Sequence, residues 1–251
     1  MQKQSKDYFI KKWDKYIPEE VVLTANIGAV DIPMEIHVAN PEFKYVMFAD
    51  DRSIKSSFWD VKYVDRKFDD PRMDARRYKW LIHKIFPDAQ YSIWVDSNVT
   101  IMVKLNALIR MHLADADIAL VKHWRDCIYE EGAACASVHL DSVKVINAQM
   151  EKFRQEGYPA HQGLHQTRVI IRRHTKEINA LNEAVWEGIQ NGSIRDQLWF
   201  NYVAWKMGIK INDIPGTYKM FPSIDKINLV KQGAHFGLIW HNKHNRVYKQ
   251  E

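Results

Sequence analysis

The sequence predicts an α/β fold with a mostly parallel central sheet flanked by helices, and two observations lead to this prediction. In the first half, short apolar and β-prone runs alternate with segments of helical periodicity, as in sheets built from crossover connections. From about residue 137 onward the pattern is mainly helical, which gives a helical C-terminal half. No repeat, low-complexity tract or Pro/Gly/Ser-rich linker interrupts the 251 residues, so one continuous domain is expected over 1–251.

The strands are expected mainly in the first half, where runs rich in β-branched and aromatic residues end in small polar residues. These runs are residues 21–26, 45–49, 61–64, 91–96 and 117–121. Helical periodicity marks five further segments, the first of them closed by Pro87-Asp88 as a stop signal. These segments are residues 74–86, 103–113, 138–155, 175–190 and 194–207. Residues 215–251 are expected to be irregular with strand-like pieces, and residues 1–18 to form an N-terminal extension.

The charge balance favours an anionic ligand. The net charge is +5 and the pI is near 9.0, which suits a phosphate-bearing ligand and also an anionic membrane surface. No dense Lys/Arg block occurs, which argues against a nucleic-acid-binding protein. The two cysteines, Cys127 and Cys135, favour a reducing compartment, so we expect a cytoplasmic protein.

The N-terminal extension has no continuous apolar stretch and does not resemble a signal peptide. It mixes aromatic and aliphatic residues with lysines, which is typical of a short interfacial helix at a membrane. The same pattern also fits a terminal helix packed on the domain. Peripheral membrane contact through this segment is therefore one of two open interpretations, and the oligomeric state is left open as well.

The stretch that ends in Asp96-Ser97-Asn98 is the most informative one for function. An apolar β-prone run stops there in three small polar residues, and α/β proteins place ligands at the carboxyl ends of such strands. The side-chain oxygens of Asp96 and Asn98 can converge on one Mg²⁺ or Mn²⁺, which in turn could neutralise a diphosphate. Asp, Ser and Asn are also common where a strand enters a turn, so a purely structural interpretation remains open.

The preceding helical segment carries Arg76, Lys79 and His83 at spacings of three and four residues, so they share one helical stripe. Such a cationic stripe leading into the Asp96 strand suits diphosphate oxygens, with Arg binding as a fork and Lys as a point charge. A solvated helix face is the alternative. His123 and Arg125 follow the strand at 117–121 and are expected near the same sheet edge.

Two candidates come from the second half of the chain. Asp196 stands three residues after Ser193 in a capping pattern, which explains this carboxylate without catalysis, but it can also act on a substrate hydroxyl. The late His241 could reach back to the Asp96 site and complete an Asp/Asn/His shell around a metal ion.

Several of these motifs, in this order and spacing, resemble the glycosyltransferase-like domain of the plant seed-mucilage and turgor-regulation proteins, which also occurs in bacteria. The similarity extends over roughly residues 21–207. The motifs are Arg76 and Lys79, Phe86-Pro87-Asp88-Ala89, Tyr91-Ser92-Ile93-Trp94-Val95-Asp96, His123-x-Arg125-x-Cys127-x-Tyr129-x-Glu131, and Arg195-Asp196-Gln197-Leu198-x-Phe200.

The resemblance implies a GT-A-like nucleotide-sugar transferase fold, in which a strand-end Asp-x-Asp motif binds the donor's diphosphate through Mn²⁺ or Mg²⁺. Asp96 matches the first position of that motif and Asn98 replaces the second carboxylate. Asp196 and Gln197 resemble the Asp-Gln pair near the donor sugar in several retaining families, and His241 loosely matches a late metal-ligand histidine. Relatives have also been linked to ceramide hydrolysis.

These observations together predict a metal-dependent glycosyltransferase that moves sugar from a nucleotide donor, expected to be UDP-linked, to a saccharide or lipid-linked acceptor in polysaccharide biosynthesis. The predicted catalytic residues are Asp196 and Gln197, and the predicted metal ligands are Asp96, Asn98 and His241. The predicted donor-binding residues are Thr24, Asn26, Asp50, Asp51, Arg76, Lys79, His83, His123 and Arg125. The alternatives are a non-catalytic saccharide- or nucleotide-binding domain and a metal-dependent lipid or phosphoester hydrolase.

Overall fold

The computed structural model describes residues 20–28, 40–101, 104–214 and 238–240. Three sequence-based predictions lie outside the described residues: the N-terminal extension at 1–18 with its membrane contact, most of the irregular segment at 215–251, and the metal ligand His241. The assignment of the whole chain to one domain likewise stays a prediction.

A seven-stranded mixed sheet forms the centre of the described structure, with the strand order β3-β2-β1-β4-β7-β6-β8. Its first four strands run parallel, β7 is antiparallel to both β4 and β6, and β8 is parallel to β6. A separate two-stranded antiparallel sheet pairs β5 with β9. The strands are β1 (Glu20–Asn26), β2 (Phe43–Ala49), β3 (Asp60–Tyr63), β4 (Tyr91–Val95), β5 (Val99–Ile101), β6 (Ile118–Lys122), β7 (His165–Arg173), β8 (Asn212–Ile214) and β9 (Leu238–Trp240).

The central strands are buried on both faces, which explains why their sequences are continuous apolar runs. Alternate residues enter two separate cores. Leu23, Trp94 and Leu120 belong to a large core on one face, whereas Val22 and Ile93 belong to a smaller core on the other. Because both faces are covered, side chains that follow the strand ends are the ones available to a ligand.

Seven helices in the described residues cover these two faces. Side chains of the helices α1, α2, α4, α5, α6 and α7 enter the large core, and α3 packs into the small one. No helix in the described ranges is long and apolar enough to cross a membrane. The helices are α1 (Pro71–Trp80), α2 (Ile82–Ile85), α3 (Leu105–His112), α4 (Ile128–Ser137), α5 (Val143–Gln155), α6 (Lys176–Asn191) and α7 (Gln197–Lys206).

The predicted α/β class and mostly parallel sheet are confirmed, with two local differences. The helix predicted over 74–86 breaks at Leu81, which closes α1 with φ −103° and ψ 28°, so the chain changes direction before α2. The break was missed because apolar and basic residues keep a helical spacing across it.

The second difference is the long strand β7, which lies in the middle of the sheet although the C-terminal half was expected to be helical. Its burial on both faces follows from the run Val169-Ile170-Ile171, whose residues alternate between the two cores. The short helix α4 and the strands β5 and β8 were also missed, whereas the helices α5, α6 and α7 lie within or close to their predicted ranges.

Candidate functional site

A cavity of about 340 Å³ opens where the carboxyl ends of β1 and β4 meet the beginning of β7. The chain leaves β1 toward β2 on one side, while β4 lies on the other, so this is the switch point at which open α/β sheets bind ligands. The lining residues are Ala25, Asn26, Ile27, Pro71, Arg72, Ala75, Arg76, Lys79, Trp94, Asp96, Ser97, Asn98, Leu140, Thr167, Arg168, Arg195, Asp196 and Gln197.

Helix α1 forms the basic wall of this cavity. Its start is fixed by Asp70, whose side chain accepts a hydrogen bond from the backbone nitrogen of Arg72, and by Pro71 at the first helical position. Arg72, Arg76 and Lys79 then follow at spacings of four and three residues, so all three lie on the helix face that lines the cavity. Arg76 and Lys79 of the predicted cationic stripe are therefore present in α1, extended by Arg72 one turn earlier, whereas His83 lies outside this helix.

The buried Arg172 of β7 anchors the end of this helix. Its guanidinium donates to the carbonyl oxygen of Lys79 at 2.6 Å, to Ser92 Oγ at 3.0 Å and to Asn182 Oδ1 at 3.0 Å. These partners belong to α1, β4 and α6, respectively. Because a buried guanidinium must have all its partners in place, this contact fixes the position of Lys79 relative to the sheet.

Asp196 lies at the base of the cavity and only 4% of its side chain is exposed. It is the N-cap of α7, since one oxygen accepts from the backbone nitrogen of Gln197. The other oxygen lies 2.8 Å from Lys79 Nζ and accepts from Trp80 Nε1 at 3.2 Å. Arg76 Nε lies 3.5 Å from Asp196 Oδ1, the oxygen that caps the helix. Burial acts to raise the pKa of Asp196, but the charges of Lys79 and Arg76 outweigh it and hold this pKa well below its usual range.

The capping interpretation of Asp196 is confirmed, although the helix start differs from the predicted one, and the catalytic role stays a prediction. The capping pattern placed the cap at Ser193, whereas α7 begins at Gln197 and Asp196 itself is the cap. Ser193 instead donates through Oγ to Asp141 Oδ2 at 2.8 Å.

Asp96 follows β4 directly and stands at the cavity's mouth, with 41% of its side chain exposed. Its Oδ1 accepts from Trp94 Nε1 at 2.9 Å and lies 3.5 Å from Lys79 Nζ. Its backbone nitrogen donates to the carbonyl of Arg168, and its carbonyl accepts from Val99 in a turn. Lys79 is thus the one described lysine in ion-pair contact with both cavity carboxylates.

Gln197 belongs to a buried polar network that leads to two further predicted residues. Its Nε2 donates to Glu131 Oε1 at 2.9 Å, and Arg125 donates to Glu131 Oε2 at 2.5 Å. His123 Nε2 lies 3.8 Å from the same Glu131 oxygen, and burial lowers the pKa of His123. His123 and Arg125 therefore do not line the cavity but support Gln197 through Glu131. Sequence reasoning assigns Glu131 no role outside the resemblance motif, because adjacent glutamates are usually solvated.

Besides His123 and Arg125, four further predicted donor-binding residues do not line the cavity. His83 lies beyond the break at Leu81, and its Nε2 pairs with Glu183 at 3.0 Å. Thr24 is fully buried in β1. Asp50 accepts from the backbone nitrogen of Gly28 at 2.8 Å, and Asp51 closes a turn. Asn26, Arg76, Lys79, Asp96, Asn98, Asp196 and Gln197 do line it.

Besides Arg72, two further basic residues of the wall were missed by sequence reasoning. Arg168 is part of β7, and no prediction was possible there because the strand itself was not predicted. Arg195 immediately precedes Asp196 and lines the cavity beside it. Together with Arg72, Arg76 and Lys79, they bring the cationic side chains of the wall to five among the described residues. The wall carries two carboxylates, Asp96 and Asp196.

The described residues fit the predicted divalent ion poorly. Such ions favour several oxygen ligands with carboxylates among them, but the two predicted ligands among the described residues, Asp96 and the neutral Asn98, supply one carboxylate. An ion bound to Asp96 would also stand close to the ammonium of Lys79, 3.5 Å from the same carboxylate. The one group of three potential metal-binding His, Cys, Asp or Glu residues in the described ranges is Cys127, Glu130 and His161, none of which lines the cavity.

Comparison with known proteins finds curated relatives and solved structures that are similar to this chain. Two curated proteins of Arabidopsis thaliana are similar to it. The "Probable hexosyltransferase MUCI70" is 26% identical over 198 residues, which cover 74% of this chain and 33% of that protein. The "Alkaline ceramidase TOD1" is 25% identical over 191 residues, which cover 63% of this chain and 41% of that protein. The chain thus spans between a third and about two fifths of the length of these curated relatives.

Solved structures with a related outline include a glycosyltransferase involved in the glycosylation of the major capsid of PBCV-1. That protein is 11% identical, with a TM-score of 0.45, and the match covers 89% of this chain and 94% of the other. The apo structure of the WbbM bifunctional glycosyltransferase is 10% identical, with a TM-score of 0.49, and the match covers 94% of this chain and 46% of that one.

The family is settled by a match to a family model rather than by these single likenesses. The model described as "TOD1/MUCI70, glycosyltransferase-like domain" matches residues 35–235, which is most of the chain. This match confirms the resemblance carried by the motifs around Asp96, Arg125 and Asp196. The chain therefore belongs to the TOD1/MUCI70, glycosyltransferase-like domain family.

Proposed function

We propose that this chain is a glycosyltransferase that moves a sugar from a nucleotide-diphosphate donor, taken here as UDP-linked, to a saccharide or lipid-linked acceptor. The observation that carries the proposal is the cationic cavity at the switch point of the sheet, with a buried carboxylate at its base. The size of the cavity and its position beside Asn26 at the end of β1 suit a nucleotide whose diphosphate faces α1.

In this reaction the bond between the anomeric carbon and the donor's diphosphate oxygen breaks, and the electron pair stays on the leaving nucleoside diphosphate. A bond forms between the anomeric carbon and an acceptor hydroxyl oxygen, and the proton of that hydroxyl passes to the departing diphosphate or to water. Arg76 and Lys79 would stabilise the negative charge that develops on the diphosphate. Asp196, held ionised by its cationic neighbours, would orient the donor sugar together with Gln197.

The Mn²⁺ or Mg²⁺ predicted from the sequence would supply further positive charge to the diphosphate. Asp96 and Asn98 are the described residues that would have to hold it, and their environment offers a poor ligand set.

The experiment that tests the proposal compares Asp196→Asn with the unaltered protein on a panel of UDP- and GDP-sugars. Released nucleotide and transfer to short oligosaccharides are both measured, with and without added Mn²⁺. Asparagine keeps the cap and removes the charge, so we expect kcat to fall by about 100-fold or more while nucleotide affinity is retained. Asp88→Asn, an exposed aspartate on the loop before β4, is the matched control and should keep the original rate.

Two results would contradict the proposal. Nucleotide binding without turnover on any donor would favour a binding domain of the same fold. Release of fatty acid from ceramide, with no response to any nucleotide sugar, would favour the hydrolytic activity that the name of one relative carries.

A further inference from the structure

The charge of the cavity wall determines whether the donor's diphosphate can be neutralised without a bound metal ion. Five cationic side chains and two carboxylates line the described cavity, and Asp70 already pairs with Arg72 at 2.6 Å, so a formal excess of two positive charges remains. A nucleoside diphosphate linked to sugar carries two negative charges on its diphosphate. A wall of this sign attracts that group by itself, whereas a wall dominated by carboxylates would repel it unless a cation were bound first.

Lys79 supplies a positive charge within 3.5 Å of both carboxylates of the cavity. Its Nζ lies 2.8 Å from Asp196 Oδ2 and 3.5 Å from Asp96 Oδ1, so one ammonium already bridges the two carboxylates of the cavity. Only 6% of the side chain is exposed, and the ring of Trp94 lies 5.5 Å from the ammonium. The backbone of Lys79 is tied to the core through Arg172, so the charge is held in place before any ligand arrives.

Arg76 adds a second fixed cation on the same helix face. Its Nε is 3.5 Å from Asp196 Oδ1, and only 14% of its side chain is exposed. A bidentate guanidinium and a neighbouring ammonium offer a diphosphate several charge-assisted hydrogen bonds in a largely water-excluded wall. Asp96 contributes a negative charge at the more exposed mouth of the cavity, where it faces Lys79. Position 98 adds no second negative charge, because it is an asparagine.

We propose that Lys79, supported by Arg76, takes the place of a divalent metal ion in this protein, so that donor diphosphate binding does not require Mn²⁺ or Mg²⁺. This inference rests on the proposed function, because it concerns how the same cavity holds the same donor. It makes Asp96 an ion-pair partner of Lys79 and not a metal ligand.

The first test is calorimetric titration of the full chain with UDP, GDP and ADP, in a chelator and again in excess Mn²⁺. We expect at least one nucleoside diphosphate to bind in the chelator, with a Kd within about threefold of the value in Mn²⁺. Binding is measured directly, so the test does not depend on knowing the acceptor or the sugar.

Substitutions at two positions distinguish diphosphate binding by the Lys79 ammonium from binding through a metal ion. Lys79→Met should weaken binding in the chelator by about 10- to 100-fold, the range expected for the loss of a charge-assisted hydrogen bond, and Lys79→Arg should retain most of it. Asp96→Asn keeps an oxygen for Trp94 Nε1 and removes one negative charge, so it should tighten binding in the chelator several-fold. A bound metal ion predicts the opposite for Asp96→Asn, because its carboxylate ligand would be lost.

The outcomes are distinct. Binding that requires Mn²⁺ and is abolished in Asp96→Asn would overturn the inference and leave the proposed transferase standing. No binding of any nucleoside diphosphate in either condition would overturn both. If Lys79→Met does not fold, as judged by its thermal unfolding, the chelator comparison and Asp96→Asn still decide the question, because Asp96 is exposed and outside the core.

Discussion

At the scale of single residues, the site consists of charges that fix one another. Asp196 is held by Lys79 and Arg76, and Gln197 is held by Glu131, which Arg125 pairs with in turn. Strong local signals allowed several of these residues to be predicted, since Asp196 stands at a helix start and Lys79 lies on a cationic stripe. Glu131 could not be predicted in this way, because it meets Gln197 across 66 residues of chain.

Glu131→Ala tests this network at the same scale. Without its carboxylate, the Gln197 amide loses its partner and Arg125 is left without its counter-ion, so we expect kcat to fall by about 10- to 100-fold. The Kd for nucleoside diphosphate should change little, because Glu131 does not line the cavity. Glu130→Ala, at the exposed neighbouring glutamate, is the matched control. Equal rates for both variants would show that Gln197 does not depend on Glu131.

At the scale of elements, the end of one helix and the packing of another determine the site. The break at Leu81 leaves Arg76 and Lys79 facing the cavity and carries His83 to Glu183 of α6 instead. Periodicity predicted the presence and type of most elements because it is a local property of the sequence. It could not predict the break or the central position of β7, because both depend on packing between distant segments.

Gly188 tests the contact between α6 and α7, the helix whose first turn carries the site. A Cβ at this position would come within 2.5 Å and 2.6 Å of the Trp199 ring, which has little room to move. We expect Gly188→Ala to lower the free energy of unfolding by about 1–3 kcal/mol in urea. Gly132→Ala is the control, because the flexible side chain of Met150, at 2.9 Å, can give way while the helix gains propensity. Equal stability of the two variants would contradict the close contact.

At the scale of the whole molecule, burial of histidine links stability to pH. Burial lowers the pKa of five histidines in the described residues: His83, His112, His123, His165 and His174. For His174 the pKa falls to about 3, since the ring is buried and lies near the positive charge of Arg172. Below the ordinary histidine pKa, the unfolded chain binds protons that the folded chain does not, so acid favours unfolding.

The free energy of unfolding should therefore fall as the pH is lowered from about 7 to 5, by up to about 1.4 kcal/mol per pH unit for each excluded proton. His174→Asn removes one such group and should make the slope shallower by up to one proton. His139→Asn, at an exposed position with φ 50° that asparagine tolerates, should leave the slope unchanged. Urea unfolding at several pH values measures these slopes, and parallel slopes for the two variants would contradict the role of His174.

The buried guanidinium of Arg172 has a consequence for any mutational survey of this family. Arg172 does not itself line the cavity, yet it holds the last turn of the helix that carries the Lys79 ammonium. A variant library scored only by sugar transfer would rank substitutions of Arg172 with substitutions of residues that act directly on the substrate. Scoring the same library for folded protein as well would sort such scaffold positions from those that meet the substrate.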